Sequence, residues 1–322
     1  MRFGPKEVIQ WFEQKGVNIK KEADGRMFPV SNSSQTIIDC FRKEADKLMV
    51  ELRTSERMQS FSFQNGHWYV LLDNNEQLRC KKLVLTTGND KHIWNQLKDM
   101  GLQMIEPVPS LFTFNIPDAE LHELSGVSFP LIKVSTNQRE ISGPGLITHW
   151  GLSGPAVLKL SAWGALELAD LNYTFKINVD WMPHVSKADI TNELKNSQQA
   201  DPRKKVTNTI PLDLTKRFWE YICKKSEVRE FQNWSETGKK HILRMVDNLK
   251  EMPFEVTGKS TFKEEFVTAG GIDLNEINPE TFEIKKFPGL YAAGEILNID
   301  AVTGGFNFQA AWTGAWHISQ NL

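Results

Sequence analysis

The sequence predicts an α/β protein in which one parallel-sheet domain is split by two insertions, one β-rich and one small and helical. Three observations predict it. Two apolar strands, at 83–88 and 290–294, end in small residues and glycine. Residues 109–182 alternate polar and apolar in short bursts punctuated by glycine and proline, as antiparallel strands do. Residues 186–251 hold three stretches of helical periodicity.

The first element is a helix over about 5–15, with Pro5 at its first position and Gly16 closing it. After the turn at 24–29 a second helix runs roughly over 34–48. Ser33 or Ser34 can cap it, and Ile37, Ile38, Phe41, Ala45 and Leu48 fall on one face. Strands follow at 50–54, 57–63, 67–72 and 82–87. Asn65-Gly66 is a hairpin turn, and Asn74-Asn75 marks the next turn. The β-rich stretch carries a short helix near 154–164. Helices near 186–197, 211–224 and 236–250 come next, the last with Ile242, Leu243, Val246 and Leu249 as an apolar stripe. The β pattern resumes from 253 into the strand at 290–295, and a last helix runs from Gly304 to about Ser319. The expected division is 1–108 with 269–322 for the split domain, 109–185 with 252–268 for the β-rich one, and 186–251 for the helical one.

At 322 residues the chain is long enough for two or three domains. Lys and Arg number 38 and Asp and Glu 40. That balance gives no global attraction to nucleic acid or to anionic membranes, and neither is expected as a partner. The 186–251 segment is mildly basic, but acids are interspersed and no RNA-binding signature occurs. Cys40, Cys80 and Cys223 make no metal-ligand spacing, so no metal site is expected and a reducing cytoplasm is the expected compartment. No segment reads as a signal peptide or membrane span.

The chemistry concentrates near the C-terminus, in PGLYAAGEILNIDAVTGGFNFQAAWTGAWHIS. It reads strand, Gly294-Glu295, loop, Gly304-Gly305, helix. Small residues at a strand tip let a ligand lie against the backbone. A Gly-Gly pair opening a helix exposes free N–H groups at the positive end of the helix dipole, which suits a phosphate or an electron-rich ring. Taken alone, the pair reads equally as a plain strand-to-helix turn. The second signal is Lys82-Leu83-Val84-Leu85-Thr86-Thr87-Gly88. In parallel sheets, ligands sit beyond the carboxyl ends of strands.

Six blocks carry a family resemblance: GRMFPVSNSSQTIID at 25–39, LVLTTG at 83–88, SGVSF at 125–129, THWGLSGPAVLKLS at 148–161, VTAGGIDLNEINPETFE at 267–283 and GLYAAGEILNIDAVTGGFNFQAAWTG at 289–314. Through them the chain resembles the aminoacetone-oxidase-like (BaiN/RdsA-type) family of NAD(P)/FAD-dependent oxidoreductases. The resemblance implies an FAD domain of the two-dinucleotide-binding type, split in sequence, with a β-barrel-like and a small helical domain inserted. It implies FAD as cofactor, NAD(P)H as a possible co-substrate and a small organic molecule as substrate. It places Thr87 and Gly88 beside the adenosine diphosphate of FAD and the Met58 backbone beside its adenine. Gly294, Glu295 and Asp300 would lie along the ribityl-pyrophosphate part. Gly304, Gly305, Phe306 and Asn307 would sit under the flavin ring. Asp300 reads equally as a loop cap for the last helix.

Two features depart from that pattern. The family opens with a strand, a GxGxxG turn and a helix, and no GxGxxG occurs here. The sequence therefore reads as N-terminally truncated, without its first βαβ unit. A second glycine usually follows the TTG motif, where this chain has Asn89. The change is compatible with a left-handed backbone at Asn89, which asparagine tolerates. On the substrate side, His149 in the 148–155 block is a candidate acid–base group, or a turn histidine bonded within the β-rich domain. Arg26 is a candidate for holding a carboxylate or the flavin, or a surface arginine. The expected function is hydride transfer between flavin and a small substrate or NAD(P)H. The alternative is a flavoprotein remnant that binds no flavin and acts as an interaction module.

Overall fold

The computed structural model describes residues 3–22, 25–260, 267–302 and 305–322. The chain is mixed α/β and divides into two compact units, 1–107 with 268–322 and 108–267.

The first unit opens with helix α1 (Pro5–Gln14), strands β1 (Ile19–Lys21) and β2 (Met27–Pro29), and helix α2 (Ser34–Lys47). Each local start has a visible cause. The Glu7 carboxylate accepts the Gly4 N–H at 2.8 Å, and Gly16 leaves α1 at φ +82°. The Ser33 hydroxyl caps α2 by accepting the Gln35 N–H. Val8 and Phe12 of α1 and Cys40 of α2 form a small core. A three-stranded meander follows, β3 (Met58–Gln64), β4 (His67–Leu72) and β5 (Gln77–Cys80). Its first turn, Asn65-Gly66, has positive φ at both residues, as a two-residue hairpin loop of matching twist requires. Residues 50–54, expected as a strand, form none. A strand needs a neighbour to satisfy its amides, and among the described residues none pairs with this segment.

Strand β6 (Leu83–Leu85) leads through helix α3 (Lys91–Asp99) to strand β7 (Met104–Ser110). Asp90 caps α3, taking the N–H groups of His92 and Ile93.

The second unit begins with strand β8 (Thr113–Asn115) and helix α4 (Ala119–His122). Strands β9 (Ser128–Ser135), β10 (Glu140–Thr148) and β11 (Gly151–Ser153) come next, then helices α5 (Pro155–Trp163) and α6 (Ala165–Asp170) and strand β12 (Phe175–Asp180). Helices α7 (Lys187–Ala200), α8 (Lys216–Lys225) and α9 (Lys239–Lys250) fill the helical segment. Strands β13 (Met252–Val256) and β14 (Gly258–Ser260) close the unit. Seven strands join in the order β13-β12-β9-β10-β11-β8-β14, all antiparallel. Ile132, Val134, Ile141, Ile147, Leu152, Ile177 and Val179 point inward from alternate positions. Phe129, Trp181 and Phe218 pack with ring centroids 4.8–5.0 Å apart. The same core takes in Phe218, Trp219, Ile222, Val246 and Leu249 from α8 and α9. The helical segment is thus held to the sheet by burial worth about 1.5–3 kcal/mol per large side chain. The Lys250 ammonium is partly buried there, bonded to the Asp180 carboxylate at 2.8 Å and to the Met182 and Val185 carbonyls.

The chain returns to the first unit with strand β15 (Val267–Ile272), which pairs with β7, then strand β16 (Leu290–Ala292) and helix α10 (Phe306–Ser319). Gly271 has φ +130°, and a Cβ there would lie 2.5 Å from the Leu297 carbonyl carbon, so only glycine fits. β16 runs parallel to β6 in the register Leu290↔Leu83, Tyr291↔Val84, Ala292↔Leu85. Trp68, Leu85, Ile93, Leu97, Leu290 and Ile296 form the core around them.

Candidate functional site

The parallel register fixes where the two strand tips lie. The Ala293 N–H donates to the Leu85 carbonyl at 3.1 Å, so Gly88 and Gly294 follow from adjacent strands at the same end. Gly88 turns with φ +60°, and a Cβ there would stand 3.8 Å from a Glu295 carboxylate oxygen. Its carbonyl accepts the Trp94 indole N–H at 2.9 Å. Thr87 and Glu295 are exposed beside it. Gly294 turns with φ +79°, and a Cβ there would be 3.6 Å from the Ala311 Cβ on α10. The strand tip therefore lies directly against the last helix.

Helix α10 is preceded by Gly305, in the left-handed region at φ +87°, and among the described residues no side chain caps it and none stands on the Cβ side of Gly305. Its first N–H groups have no acceptor within the helix. Gly304 lies outside the described residues. Further along, a Cβ at Gly314 would meet the Phe282 ring at 3.0 Å and the Ala293 Cβ at 3.1 Å. Small residues are what let the helix approach the sheet. Asn307 donates from Nδ2 to the Ala301 carbonyl at 3.3 Å. Its Oδ1 is buried and has no hydrogen-bond partner among the described residues. Phe306 is exposed. Asp300 is half-buried in the segment that Asn307 holds.

Met58 opens β3 at an irregular step in the pairing with β4. Arg57 reaches Asp90 at 3.3 Å, and the Gln59 carbonyl lies 2.5 Å from His92 Nε2. The Met58 backbone thus runs beside the start of α3, just past Gly88. Burial pushes the Asp90 carboxyl up, but the Ile93 and His92 N–H groups and the Arg57 guanidinium hold it below its ordinary value. Asn89 departs from expectation. It is absent from the left-handed residues, Gly88 alone making that turn, and its amide donates to Thr268 Oγ1 at 3.0 Å. Here the asparagine ties the turn to β15 through its side chain, a role that depends on a residue far along the chain. The orphaned Asn307 acceptor was equally invisible, since it depends on which groups burial leaves unpaired.

Arg26 lies in an exposed turn with its guanidinium 5.5 Å from the centre of the Phe28 ring. In the second unit, His149 and Trp150 form the two-residue loop between β10 and β11. Both are exposed, and the His149 ring has no hydrogen-bond partner among the described residues. The Trp150 carbonyl accepts the Ile116 N–H at 2.8 Å, which pins the tip. The same sheet end carries Asn115, whose Oδ1 accepts the Ser260 hydroxyl at 2.7 Å.

The family model for the HI0933-like protein Rossmann domain matches residues 1–321. The chain belongs to the HI0933-like family. It is the flavin-dependent oxidoreductase family to which the six sequence blocks pointed. Among HI0933-like proteins, the chain is 27% identical over 333 residues to the ribosomal RNA dihydrouridine synthase of Escherichia coli, covering all of this chain and 80% of that one. It is 27% identical to the Haemophilus influenzae protein of the same name, covering 98% and 79%. It is 22% identical to a 3-dehydro-bile acid delta(4,6)-reductase of Clostridium scindens, covering 97% and 78%.

The residues present fit the flavin of this family on three counts. Two glycine tips turn at the same end of adjacent strands, helix α10 packs against the second tip and opens with no side-chain cap among the described residues, and Asn307 presents a buried acceptor with no donor among them. Among the described residues, no cluster of His, Cys, Asp and Glu suits a metal ion, and no helix is long and apolar enough to cross a membrane.

Proposed function

We propose that this chain is an FAD-dependent reductase that saturates a carbon–carbon double bond conjugated to a carbonyl, with NAD(P)H as electron source. The observation that carries the reading is the pair of glycine tips, Gly88 and Gly294, at the same end of adjacent parallel strands, with helix α10 packed against the second of them. Support for the reaction comes from the relatives' names. Making dihydrouridine saturates the uracil C5=C6 bond, which is conjugated to the C4 carbonyl. Reducing a Δ(4,6) bond in a 3-dehydro bile acid saturates a bond conjugated to the C3 carbonyl. In both, a hydride adds at the far carbon of the conjugated system and a proton at the carbon nearer the carbonyl. The alkene is reduced and the nicotinamide oxidised.

Thr87, Gly88, Gly294, Glu295 and Asn307 would hold the flavin, which would supply two-electron hydride chemistry between NAD(P)H and the alkene. The chain's own residues supply the rest. The N–H groups opening α10 favour negative charge on a ring held there. Asn307 would help hold the flavin, its buried Oδ1 being an acceptor with no donor among the described residues. Thr87 and Glu295 offer polar atoms to the sugar and phosphate parts. His149, exposed in the loop between β10 and β11, is proposed as the proton donor. Arg26 is proposed to hold an anionic group.

The test is anaerobic incubation of FAD-loaded protein with NADPH and either cholesta-4,6-dien-3-one or uridine-containing ribosomal RNA, followed by mass spectrometry. A gain of two hydrogens in either substrate supports the reading, and His149→Gln should lower that rate without changing FAD affinity. Protein that takes up no FAD and reduces neither substrate would leave the flavin-free alternative standing.

A further inference from the structure

We propose that the helical segment of the second unit carries a docking surface for single-stranded RNA, centred on Arg203, Lys204, Lys205 and Phe231. This rests on the reductase reading and narrows its substrate to a base within an RNA strand. The observation is local and opposes the chain's overall charge. Residues 202–206 pair with 232–235: the Trp234 N–H donates to the Lys204 carbonyl, the Ser235 N–H to the Pro202 carbonyl and the Val206 N–H to the Gln232 carbonyl. The pairing is anchored below by the buried Trp234, whose indole N–H donates to Thr209 Oγ1 at 3.0 Å. Gln198 of α7 ties the same strip down, donating to the Trp234 and Thr237 carbonyls. The basic run therefore sits on a fixed platform rather than on a loose loop.

What that platform exposes is cationic and aromatic. Arg203 and Lys204 are exposed, and among the described residues neither has a carboxylate partner. Most basic groups elsewhere in the helical segment are spent. Lys187, Lys216, Lys224, Lys225, Arg244 and Lys250 each contact an acid. The Lys205 ammonium stands 4.1 Å from the centre of the Phe231 ring, and that ring is 67% exposed. Lys239 and Lys240, also exposed, open α9 a few residues after this pairing in sequence. The acids in the strip are Asp201, Glu230 and Glu236, and Glu236 is taken by Arg229 at 3.0 Å. Unpaired cations beside an exposed ring match a nucleic-acid strand on both of its features. The cations neutralise phosphates, and the ring offers a face on which a base can stack. A protein partner with an acidic surface would use the cations and leave the ring unexplained.

The experiment measures anisotropy of a fluorescein-labelled oligouridylate against salt, using the full chain. Three proteins are compared: wild type, the triple variant Arg203→Gln with Lys204→Gln and Lys205→Gln, and Phe231→Ser. The wild type should bind with a steep salt dependence. The triple variant should lose about tenfold or more in affinity, and its log–log salt slope should shrink by about two, as three released counterions on a single strand require. Phe231→Ser should lose about tenfold with the slope unchanged. Melting temperatures of all three should agree, since the altered side chains lie at the surface. Equal affinity in all three proteins, or no binding by wild type at low salt, overturns the proposal. The assay needs no flavin. If the reductase reading fails, neither the dienone nor the RNA is reduced while RNA binding persists; if the surface fails, binding is lost from the account while dienone reduction stands.

Discussion

At Asn307 the fold holds a polar atom in a place that folding alone does not reward. A buried acceptor with no donor costs about 1–3 kcal/mol, and Oδ1 is in that position among the described residues. Such a group is retained where a ligand completes it. Asn307→Leu should leave the flavin-free protein equally or more stable to urea. It should also weaken FAD binding by tenfold or more, or about 1.4 kcal/mol. A parallel loss of both would mean that Asn307 serves only the fold. Asp90 gives a pH-dependent test. Its folded carboxyl titrates below its ordinary value of 3.8, so its contribution is present above that value and is lost as pH falls through the lower, folded one. Asp90→Ala should lower stability by about 1 kcal/mol at pH 7, the usual worth of an N-cap. The gap between variant and wild type should close in the acid range; a gap that persists there would remove the charge from the explanation.

Among the elements, α10 does the most to build the site. Gly314 lets it lie 3.0–3.1 Å in Cβ terms from Phe282 and Ala293. Gly314→Val has no room, and the strain should cost about 1–3 kcal/mol, read by urea melts, with FAD affinity falling as the helix start moves. The last helix was legible because its start, its small residues and its apolar face all lie in consecutive sequence. So were the Asn65-Gly66 hairpin and the Ser33 cap of α2, whose causes span four residues or fewer. Residues 50–54 read as a strand from their alternation and form none, because a strand is made by its neighbour and not by its own pattern. Strand β5 and helix α3 escaped the pattern for a related reason. Gln77–Cys80 is largely exposed and polar, and Lys91–Asp99 shows only Ile93, Trp94 and Leu97 on its buried face. The left-handed turn expected at Asn89 belongs to Gly88 alone, and only the position of Thr268, far along the chain, shows what the asparagine does.

On the scale of the whole molecule, the chain keeps separate hydrophobic cores in its two units. Ile132 is fully buried in the second. Ile132→Ala should destabilise that unit by about 2–5 kcal/mol, and amide exchange should accelerate in β9, β10 and β12 while β6 and β16 keep their protection. Uniform acceleration would mean that the units unfold as one. The order of the seven strands was beyond the sequence, since pairings such as β8 with β14 join residues more than 140 positions apart. A net charge of −2 likewise averages away the basic strip at 203–205. The central claim is that a flavin nucleotide lies across the Gly88 and Gly294 tips at the start of α10. Titration of the purified chain with FAD, followed by quenching of flavin fluorescence, tests it most directly. Saturable binding at one site per chain, weakened at least tenfold by Gly294→Val, is the predicted result. No quenching, or quenching that Gly294→Val leaves unchanged, would contradict it.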